Sequence, residues 1–311
     1  MSAKDALEWQ ELYTALSKWF AIIPPIVCPV NFFIDAPFGR FTPKEDSALL
    51  VDGINSWILM ELVAPSTFSY TFLSSPLSPT RITTTPPLSP LHNPPAFLAS
   101  LYLLHYLNRA LISPLRTPSR SKSHIIVPFS AISFNVVNGF LLGAYLSSDQ
   151  ALTFLEGAFD RPLFWVGITL WVFGLVGNLL HDEILLNIRR KAKAKGKGKA
   201  TSDDSTDDNN GKKKLNKQEH YAIPHGLLYR LISYPNYFCE WIEWFGFALA
   251  ASPFPSFVSF PAFLGSLTPP HLFLLAEFFT MIPRAYKGHK WYHNKFPDYP
   301  KERKAVIPFL F

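Results

Sequence analysis

Long apolar blocks separated by short polar stretches run through the chain from its first tenth to its last. A membrane-spanning helix needs about 20 mainly apolar residues, and membrane helices tolerate internal prolines better than soluble helices do. By this measure the pattern predicts an all-α, polytopic membrane protein with about seven transmembrane helices. The predicted spans are residues 12–33, 48–73, 96–115, 125–146, 163–188, 237–260 and 270–282, the last of them short and extending as a helix towards Trp291.

The polar links between these blocks alternate in charge. With about seven spans, the first, third and fifth loops and the C-terminus share one side of the membrane, and these links hold Arg40, then Arg116 and Arg120, then a lysine-rich insert, then KERK at residues 301–304. The links on the other side are acidic or carry a single arginine such as Arg81. The positive-inside rule therefore predicts a lumenal N-terminus and a cytosolic C-terminus.

Composition agrees with a membrane protein and argues against other classes. Hydrophobic residues make up 48% of the 311 positions and charged residues only 17%, whereas soluble domains carry about 25% charged residues. The net charge of +6 lies in loops, so we expect no nucleic-acid partner. Cys28 and Cys239 both lie in apolar stretches and imply no disulfide framework. The N-terminus lacks a cleavable signal pattern, so we expect the first span to be retained.

One very polar insert interrupts the chain at residues 190–219. Between Lys191 and Leu215 it contains no large apolar residue, and its lysines alternate with alanine and glycine before a DDSTDD block. Such a segment cannot bury enough apolar surface to fold, so we predict a disordered cytosolic insert within a single membrane-embedded domain, residues 1–311. A contact with anionic lipids or a regulatory site is one interpretation. A tolerated loop expansion is the other, and we favour it.

Polar residues inside the predicted spans are the candidates for chemistry. Glu61 lies within the second span, where a carboxylate costs about 3 kcal/mol and usually faces an internal cavity. The alternative is a helix-end acid that reaches the interface shortly before Pro65. Tyr106 and Arg109, three residues apart, share a face of the third span. The arginine calls for a carboxylate or phosphate partner, unless it snorkels to the interface.

The later spans carry two further polar groups. Asn178 and Asp182, four residues apart, line one face of the fifth span and suit hydrogen bonds to a ribose or an amide. Metal binding there is disfavoured, because only one histidine stands nearby. Glu240 and Glu243 share a face among tryptophans and need cationic partners. The candidates for these partners are Arg284, Lys287, His289 and Lys290.

No glycine-rich nucleotide loop follows a predicted strand, and neither a Walker loop nor a GxSxG motif is present. Gly174 and Gly177 are better read as helix-packing residues than as a nucleotide loop. If a dinucleotide binds, it therefore binds among helices rather than in a Rossmann fold.

Motifs along most of the chain, taken together and in order, resemble the steroid 5α-reductase family of membrane enzymes. The most specific is the ending DYPKERKAVIPF at residues 298–309. The others are APFGR (36–40), M-E-x-x-x-P (60–65), LHYLNR (104–109), NG-x-x-x-G-x-Y (138–145), N-x-x-x-D (178–182), Y-x-I-P-x-G (221–226) and N-Y-x-x-E-x-x-E-W (236–244). Members of this family use NADPH to reduce a conjugated carbon–carbon double bond.

The resemblance implies roles for residues where the motifs match. Glu61 and Tyr106 look like the catalytic pair that binds the substrate carbonyl, and Arg40, Arg116 and Arg120 are candidates for the cofactor phosphates. No metal ligands are implied. The cofactor-binding set, placed at the cytosolic side of the bundle, would be Asn178, Asp182, Arg189, Tyr221, Asn236, Glu240, Arg284, His289, Tyr292 and Arg40.

The implied activity is NADPH-dependent reduction of the 4,5 double bond of a 3-oxo-Δ4-steroid or a similar lipid enone in the endoplasmic reticulum membrane. The implied partners are a steroid or lipid substrate and membrane lipids, with no obligate protein partner. Relatives that reduce trans-2-enoyl-CoA or polyprenols are an alternative, and a non-catalytic lipid-binding scaffold is another. The long insert, and Cys239 where the family commonly has glycine, mark a divergent member and leave the substrate open.

Overall fold

The computed structural model describes residues 3–43, 47–78, 92–202 and 221–311. This part of the chain is mostly helical, as the apolar pattern predicted. Two short strands, β1 (Leu50–Val51) and β2 (Ser123–His124), pair antiparallel and tie the loop before the second helix to the loop before the fifth. The helices are α1 (Ala3–Phe33), α2 (Gly53–Ser74), α3 (Pro94–Tyr106), α4 (Ser113–Arg116), α5 (Ile126–Leu146), α6 (Asp149–Leu155), α7 (Pro162–Ser202), α8 (Pro235–Ala251), α9 (Phe260–Ser266) and α10 (Pro269–Lys295).

Within the described residues, three helices are long and apolar enough to cross a membrane: Lys4–Phe33, Ile126–Leu146 and Pro162–Ala194. The pair α9 and α10, bent by 109°, makes a fourth if it is one span. The count of about seven spans therefore stays a prediction. The third predicted span consists of α3, a π-helical turn at Leu107–Ile112, and α4.

The sixth predicted span is shorter than the apolar pattern indicated. It was placed at residues 237–260, but α8 ends at Ala251 and Ser252 is already extended. The next residue is Pro253, and a proline disfavours helical backbone at the residue before it. The apolar residues that follow thus belong to a link rather than to the helix.

Helix α7 runs for 41 residues and continues through Ser202. Residues 190–202 are therefore helical in the structure, although their composition predicted disorder. Alanine and lysine are both good helix formers, so these residues can extend a helix that already exists. The rest of the insert lies outside the described residues.

Small residues bring two pairs of helices into close contact. On α7, a Cβ added to Gly174 would lie 2.3 Å from the backbone nitrogen of Glu243 on α8. On α5, a Cβ added to Gly139 would lie 2.5 Å from the carbonyl oxygen of Ala64 on α2. Close approach of this kind is how membrane helices pack in the absence of a hydrophobic driving force. The prediction that Gly174 is a packing residue is confirmed.

The C-terminal segment pairs with the residues that lead into α8. The amide of Lys304 donates to the carbonyl of Leu231 at 2.9 Å, and the amides of Ser233 and Tyr234 donate to Lys304 and Ala305 at 2.9 and 3.0 Å. These hydrogen bonds attach the residues just before α8 to the C-terminal segment. The end of the chain is part of the fold rather than a frayed tail.

Candidate functional site

A buried ionic network joins α2, the π-helical turn and α8. Arg109 Nε donates to Glu61 Oε2 at 3.1 Å, and Arg109 Nη1 donates to Glu240 Oε1 at 2.9 Å. Both acids are buried, and the Trp57 indole nitrogen donates to the Arg109 carbonyl at 3.2 Å. π-Helical turns are often found at functional sites. Arg109 therefore pairs with carboxylates inside the bundle and does not snorkel.

Four of the predicted cofactor residues meet where α7 packs against the first turns of α8. Asn178 Nδ2 donates to Glu240 Oε2 at 3.2 Å and to the Asn236 carbonyl at 3.3 Å. Asn236 Nδ2 donates to Asp182 Oδ1 at 3.1 Å. Through Glu240 this group is continuous with the Arg109 network.

Tyr106 ends α3 and is buried at 3% exposure. Its hydroxyl oxygen accepts a hydrogen bond from Asn138 Nδ2 at 3.2 Å, and the same amide donates to the Tyr102 hydroxyl at 3.3 Å. Because a hydroxyl can accept and donate at once, Tyr106 can also donate a hydrogen bond while it accepts from Asn138. In the described part of the chain, Tyr106 and Glu61 share no direct hydrogen bond. Arg109, which lies three residues after Tyr106, pairs with Glu61 and so links the two residues indirectly.

Glu243 is paired by a residue of α3. His105 Nδ1 lies 2.7 Å from Glu243 Oε1, and both side chains are buried. Sequence spacing had suggested cations of α10 as the partners of Glu240 and Glu243, and this expectation is wrong.

The cations of α10 have other contacts. Arg284 lies 3.5 Å from the centre of the Phe38 ring, Lys287 pairs with Asp35 at 2.7 Å, and His289 contacts Ser233 at 2.6 Å. The end of α10 that carries them packs against the first loop and the C-terminal segment, while the acids of α8 face α3 and α7. Arg284 and His289 therefore lie beside the network rather than in it.

A second cluster, the arginine cage, surrounds Arg40 with aromatic rings. Its guanidinium lies 4.5 Å from the Trp291 ring centre, 4.7 Å from Tyr292, 5.2 Å from Tyr221 and 5.9 Å from Tyr234. Arg40 Nη1 is buried and has no hydrogen-bond partner among the described residues. A buried guanidinium nitrogen without an acceptor is costly, so this position suits an anion.

A small cleft lies between the first loop, the start of α2 and the residues around β2. Arg120 stacks on Trp57 at 3.7 Å within it. Burial, and then the charge of Arg189, lower the pKa of Arg120 to about 10, which shows that two guanidinium groups repel each other here. Arg116, by contrast, pairs with Glu183 at 2.7 Å away from this lining. The cleft is lined by Phe38, Gly39, Gly53, Ser56, Trp57, Met60, Arg120, Ser121, Ser123 and Val127.

Sequence reasoning missed several polar residues of the site. Asn138 and His105 lie inside motifs, but the sequence assigns neither of them a role. The spacing of the residues does not indicate the hydrogen bond from Trp57 to Arg109. The motifs NG-x-x-x-G-x-Y and LHYLNR were the signals that pointed to the first two. Within the described residues, no group of three or more histidine, cysteine, aspartate or glutamate side chains is placed to hold a metal ion.

Comparison with known proteins finds relatives that match nearly the whole chain. The family model for 3-oxo-5-alpha-steroid 4-dehydrogenase matches residues 121–198 and 202–311. An uncharacterized protein of Schizosaccharomyces pombe is 37% identical over 96% of this chain and 99% of its own length. Steroid 5-alpha-reductase DET2 of Gossypium hirsutum is 30% identical over 96% of this chain and 93% of its own, and 3-oxo-5-alpha-steroid 4-dehydrogenase 1 of Rattus norvegicus is 29% identical over 89% and 87%. The chain belongs to the 3-oxo-5-alpha-steroid 4-dehydrogenase family, a family of membrane oxidoreductases that act on CH–CH bonds.

Proposed function

We propose that this protein is an NADPH-dependent reductase of the 4,5 double bond of a 3-oxo-Δ4-steroid or a similar lipid enone. The observation that carries the proposal is the buried hydroxyl of Tyr106 in the same part of the helical bundle as the Glu61–Arg109 pair. A buried hydroxyl that can donate a hydrogen bond in such a place suits the carbonyl of a hydrophobic substrate. Relatives named as steroid reductases support the same substrate class.

Tyr106 is the hydrogen-bond donor to the substrate carbonyl in this proposal. As the enone accepts electrons, negative charge develops on the carbonyl oxygen, and a fixed hydroxyl in a water-poor site stabilises that charge. Asn138 holds the tyrosine oxygen from the other side. The Tyr106 proton is thereby directed to the substrate.

Glu61 donates to the same oxygen only when it is protonated, since an ionised carboxylate is an acceptor alone. In the structure Arg109 holds it as an ion pair. We therefore propose that the substrate displaces Arg109 from Glu61 and that Glu61 then takes up a proton. Arg109 keeps Glu240 as its partner, so the displacement leaves no unpaired guanidinium.

The residues of the cleft and the arginine cage fit NADPH. When bound, NADPH supplies the hydride for the β-carbon of the enone. Arg120 and Arg189 repel each other, and Arg40 has a buried nitrogen without an acceptor, so both positions suit phosphate groups. The remaining proposed cofactor residues offer amides, carboxylates and rings for the ribose and nicotinamide: Asn178, Asp182, Tyr221, Asn236, Glu240, Arg284, His289 and Tyr292.

The long apolar helices support a location in a membrane. The basic loops predict that the arginine cage and the cleft lie on the cytosolic side, where NADPH is available. We propose the endoplasmic reticulum membrane as the location, with a lumenal N-terminus and a cytosolic C-terminus.

The test is NADPH consumption by the purified full-length protein in detergent, with a Δ4-3-ketosteroid, a trans-2-enoyl-CoA and a polyprenol supplied separately. We expect turnover with the steroid. Tyr106→Phe and Glu61→Gln should each lower kcat about 100-fold. The NADPH dissociation constant should change by no more than about twofold. Glu156→Gln, at an exposed position after α6, is the matched control and should behave as the wild type.

Other results would redirect the proposal. Turnover with only the thioester or only the polyprenol would keep the reductase and the cofactor but change the substrate. A protein that binds no NADPH would favour the non-catalytic lipid-binding scaffold. The buried ion pairs argue against that scaffold, because packing alone has no need of charges that cost several kcal/mol each to bury.

A further inference from the structure

His105 lies between two carboxylates of α8. Its Nδ1 atom is 2.7 Å from Glu243 Oε1, and its Nε2 atom is 4.0 Å from Glu240 Oε1, beyond hydrogen-bond distance. The ring also meets the rings of Trp244 and Tyr106 edge-on, with centroids 4.7 and 5.2 Å apart. These contacts fix the orientation of the imidazole and direct Nε2 towards the ionic network.

The buried network contains more acids than permanent cations. Glu61 reaches it from α2, Glu240 and Glu243 from α8, and Glu277 interacts electrostatically with it from α10. Arg109 is the permanent cation that pairs within this group. A buried charge without a partner costs several kcal/mol, so the network must hold additional protons.

Glu243 shows where one of these protons resides. Its side chain has no exposed surface, its Oε1 atom faces His105, and its Oε2 atom has no hydrogen-bond partner among the described residues. A buried carboxylate in this position needs a counter-ion. The imidazole at 2.7 Å supplies it when both ring nitrogens carry a proton.

We infer that His105 is held as an imidazolium by Glu243 and is the proton donor to the α-carbon of the enone. The inference rests on the proposed function and deepens it by assigning the second half of the reaction. Nδ1 is engaged by Glu243, which leaves Nε2 to donate. His105 and Tyr106 are consecutive residues, and the α-carbon of an enone is one bond from the carbonyl carbon. The two rings also lie close together, with centroids 5.2 Å apart, so a carbonyl bound at Tyr106 places the α-carbon near the imidazole.

The electrons and protons of this step balance. The hydride forms the new C–H bond at the β-carbon, and the double-bond electrons move towards the carbonyl to give an enolate. The enolate then takes the proton from His105 Nε2, which forms the C–H bond at the α-carbon and restores the carbonyl. His105 is left neutral, with Nδ1–H donating to Glu243, and it regains a proton from water before the next turnover.

The charge state of His105 can be measured without turnover. The full-length protein, labelled with ¹⁵N-histidine, is studied by NMR in detergent at pH 7. We expect one imidazolium, with both ring nitrogens protonated, that disappears in His105→Gln and becomes neutral in Glu243→Gln. His225→Gln, at an exposed position, should remove a different signal and leave the imidazolium in place. A neutral His105 in the wild type would overturn the inference.

Kinetics test the donor role. With a steroid that the wild type reduces, His105→Gln should lower kcat about 100-fold, the lower range for a general acid. The alkaline decline of the wild-type pH–rate profile should be absent in the variant. The NADPH dissociation constant should stay near the wild-type value, whereas the melting temperature should fall because Glu243 loses its counter-ion.

The outcomes separate the inference from the proposed function. If the variant reduces the steroid within about twofold of the wild type, His105 is not the donor. If the variant loses stability and NADPH affinity but keeps the wild-type pH profile, its role is structural. If the wild type itself reduces no enone, the proposed function fails, and the donor role fails with it.

Discussion

Gly174 determines how closely α7 approaches α8 beside the site, and Gly174→Ala tests that contact. The added methyl carbon would lie 2.3 Å from Glu243 N, 2.5 Å from Glu243 Cα and 2.6 Å from Cys239 O. All three are backbone atoms, so no side-chain rotation relieves the overlap. The two helices must therefore separate by about 1 Å, and overpacking of this kind costs about 1–3 kcal/mol.

The separation would act directly on the proposed cofactor residues. Asn178 lies one turn after Gly174, and its hydrogen bond to Glu240 is 3.2 Å long; the bond from Asn236 to Asp182 is 3.1 Å long. A shift of about 1 Å takes both beyond hydrogen-bond distance. Each such bond contributes about 1 kcal/mol, so we expect NADPH to bind about tenfold more weakly and the melting temperature to fall.

Thermal unfolding and NADPH titration of the purified protein in detergent measure these two effects. Gly265→Ala is the matched control, because a Cβ at that position of α9 meets nothing within 4 Å. Alanine is the better helix former, so this variant should be as stable as the wild type or slightly more so. A Gly174→Ala protein with wild-type melting temperature and NADPH affinity would refute the idea that this helix contact sets the geometry of the site.

Two further substitutions test the cleft and the tyrosine. If Arg120 binds the 2′-phosphate, which NADH lacks, Arg120→Gln should weaken NADPH binding about tenfold and NADH binding much less. Equal losses in a titration with both dinucleotides would remove Arg120 from the 2′-phosphate. Asn138→Leu removes the amide that holds the Tyr106 hydroxyl, so kcat with the steroid should fall about tenfold while KM changes little. An unchanged kcat would show that Tyr106 needs no help in orienting its proton.

The helices and one part of the site were predictable because their signals are local. Apolar blocks of helical length predicted the mostly helical fold. The four-residue spacing of Asn178 and Asp182 placed both on the face that meets α8. The motif around Glu240 placed that acid in the same group. The conclusions on the helices and on Asn178 and Asp182 need only the geometry of single helices, whereas the role of Glu240 comes from the resemblance of its motif to the family.

The partners of the acids were not predictable in the same way. Glu243 pairs with His105, 138 positions away along the chain, and the choice between α3 and α10 depends on how whole helices pack. The end of α8 was missed because an apolar sequence continues past Pro253. The helical start of the insert was missed because low apolar content says little about intrinsic helix propensity.

Arg109 connects the two halves of the proposed reaction. It pairs with Glu61, the acid assigned to the substrate, and with Glu240, which also accepts from Asn178 in the cofactor group. The guanidinium of Arg109 thus pairs with one acid of the proposed substrate site and one acid of the proposed cofactor site. If a substrate displaces Arg109 from Glu61, Arg109 pairs with Glu240 alone. The hydrogen bonds of the group that includes Glu240 and Asn178 should then become stronger. We therefore expect substrate binding and the order of the proposed cofactor residues to be coupled through this buried cation.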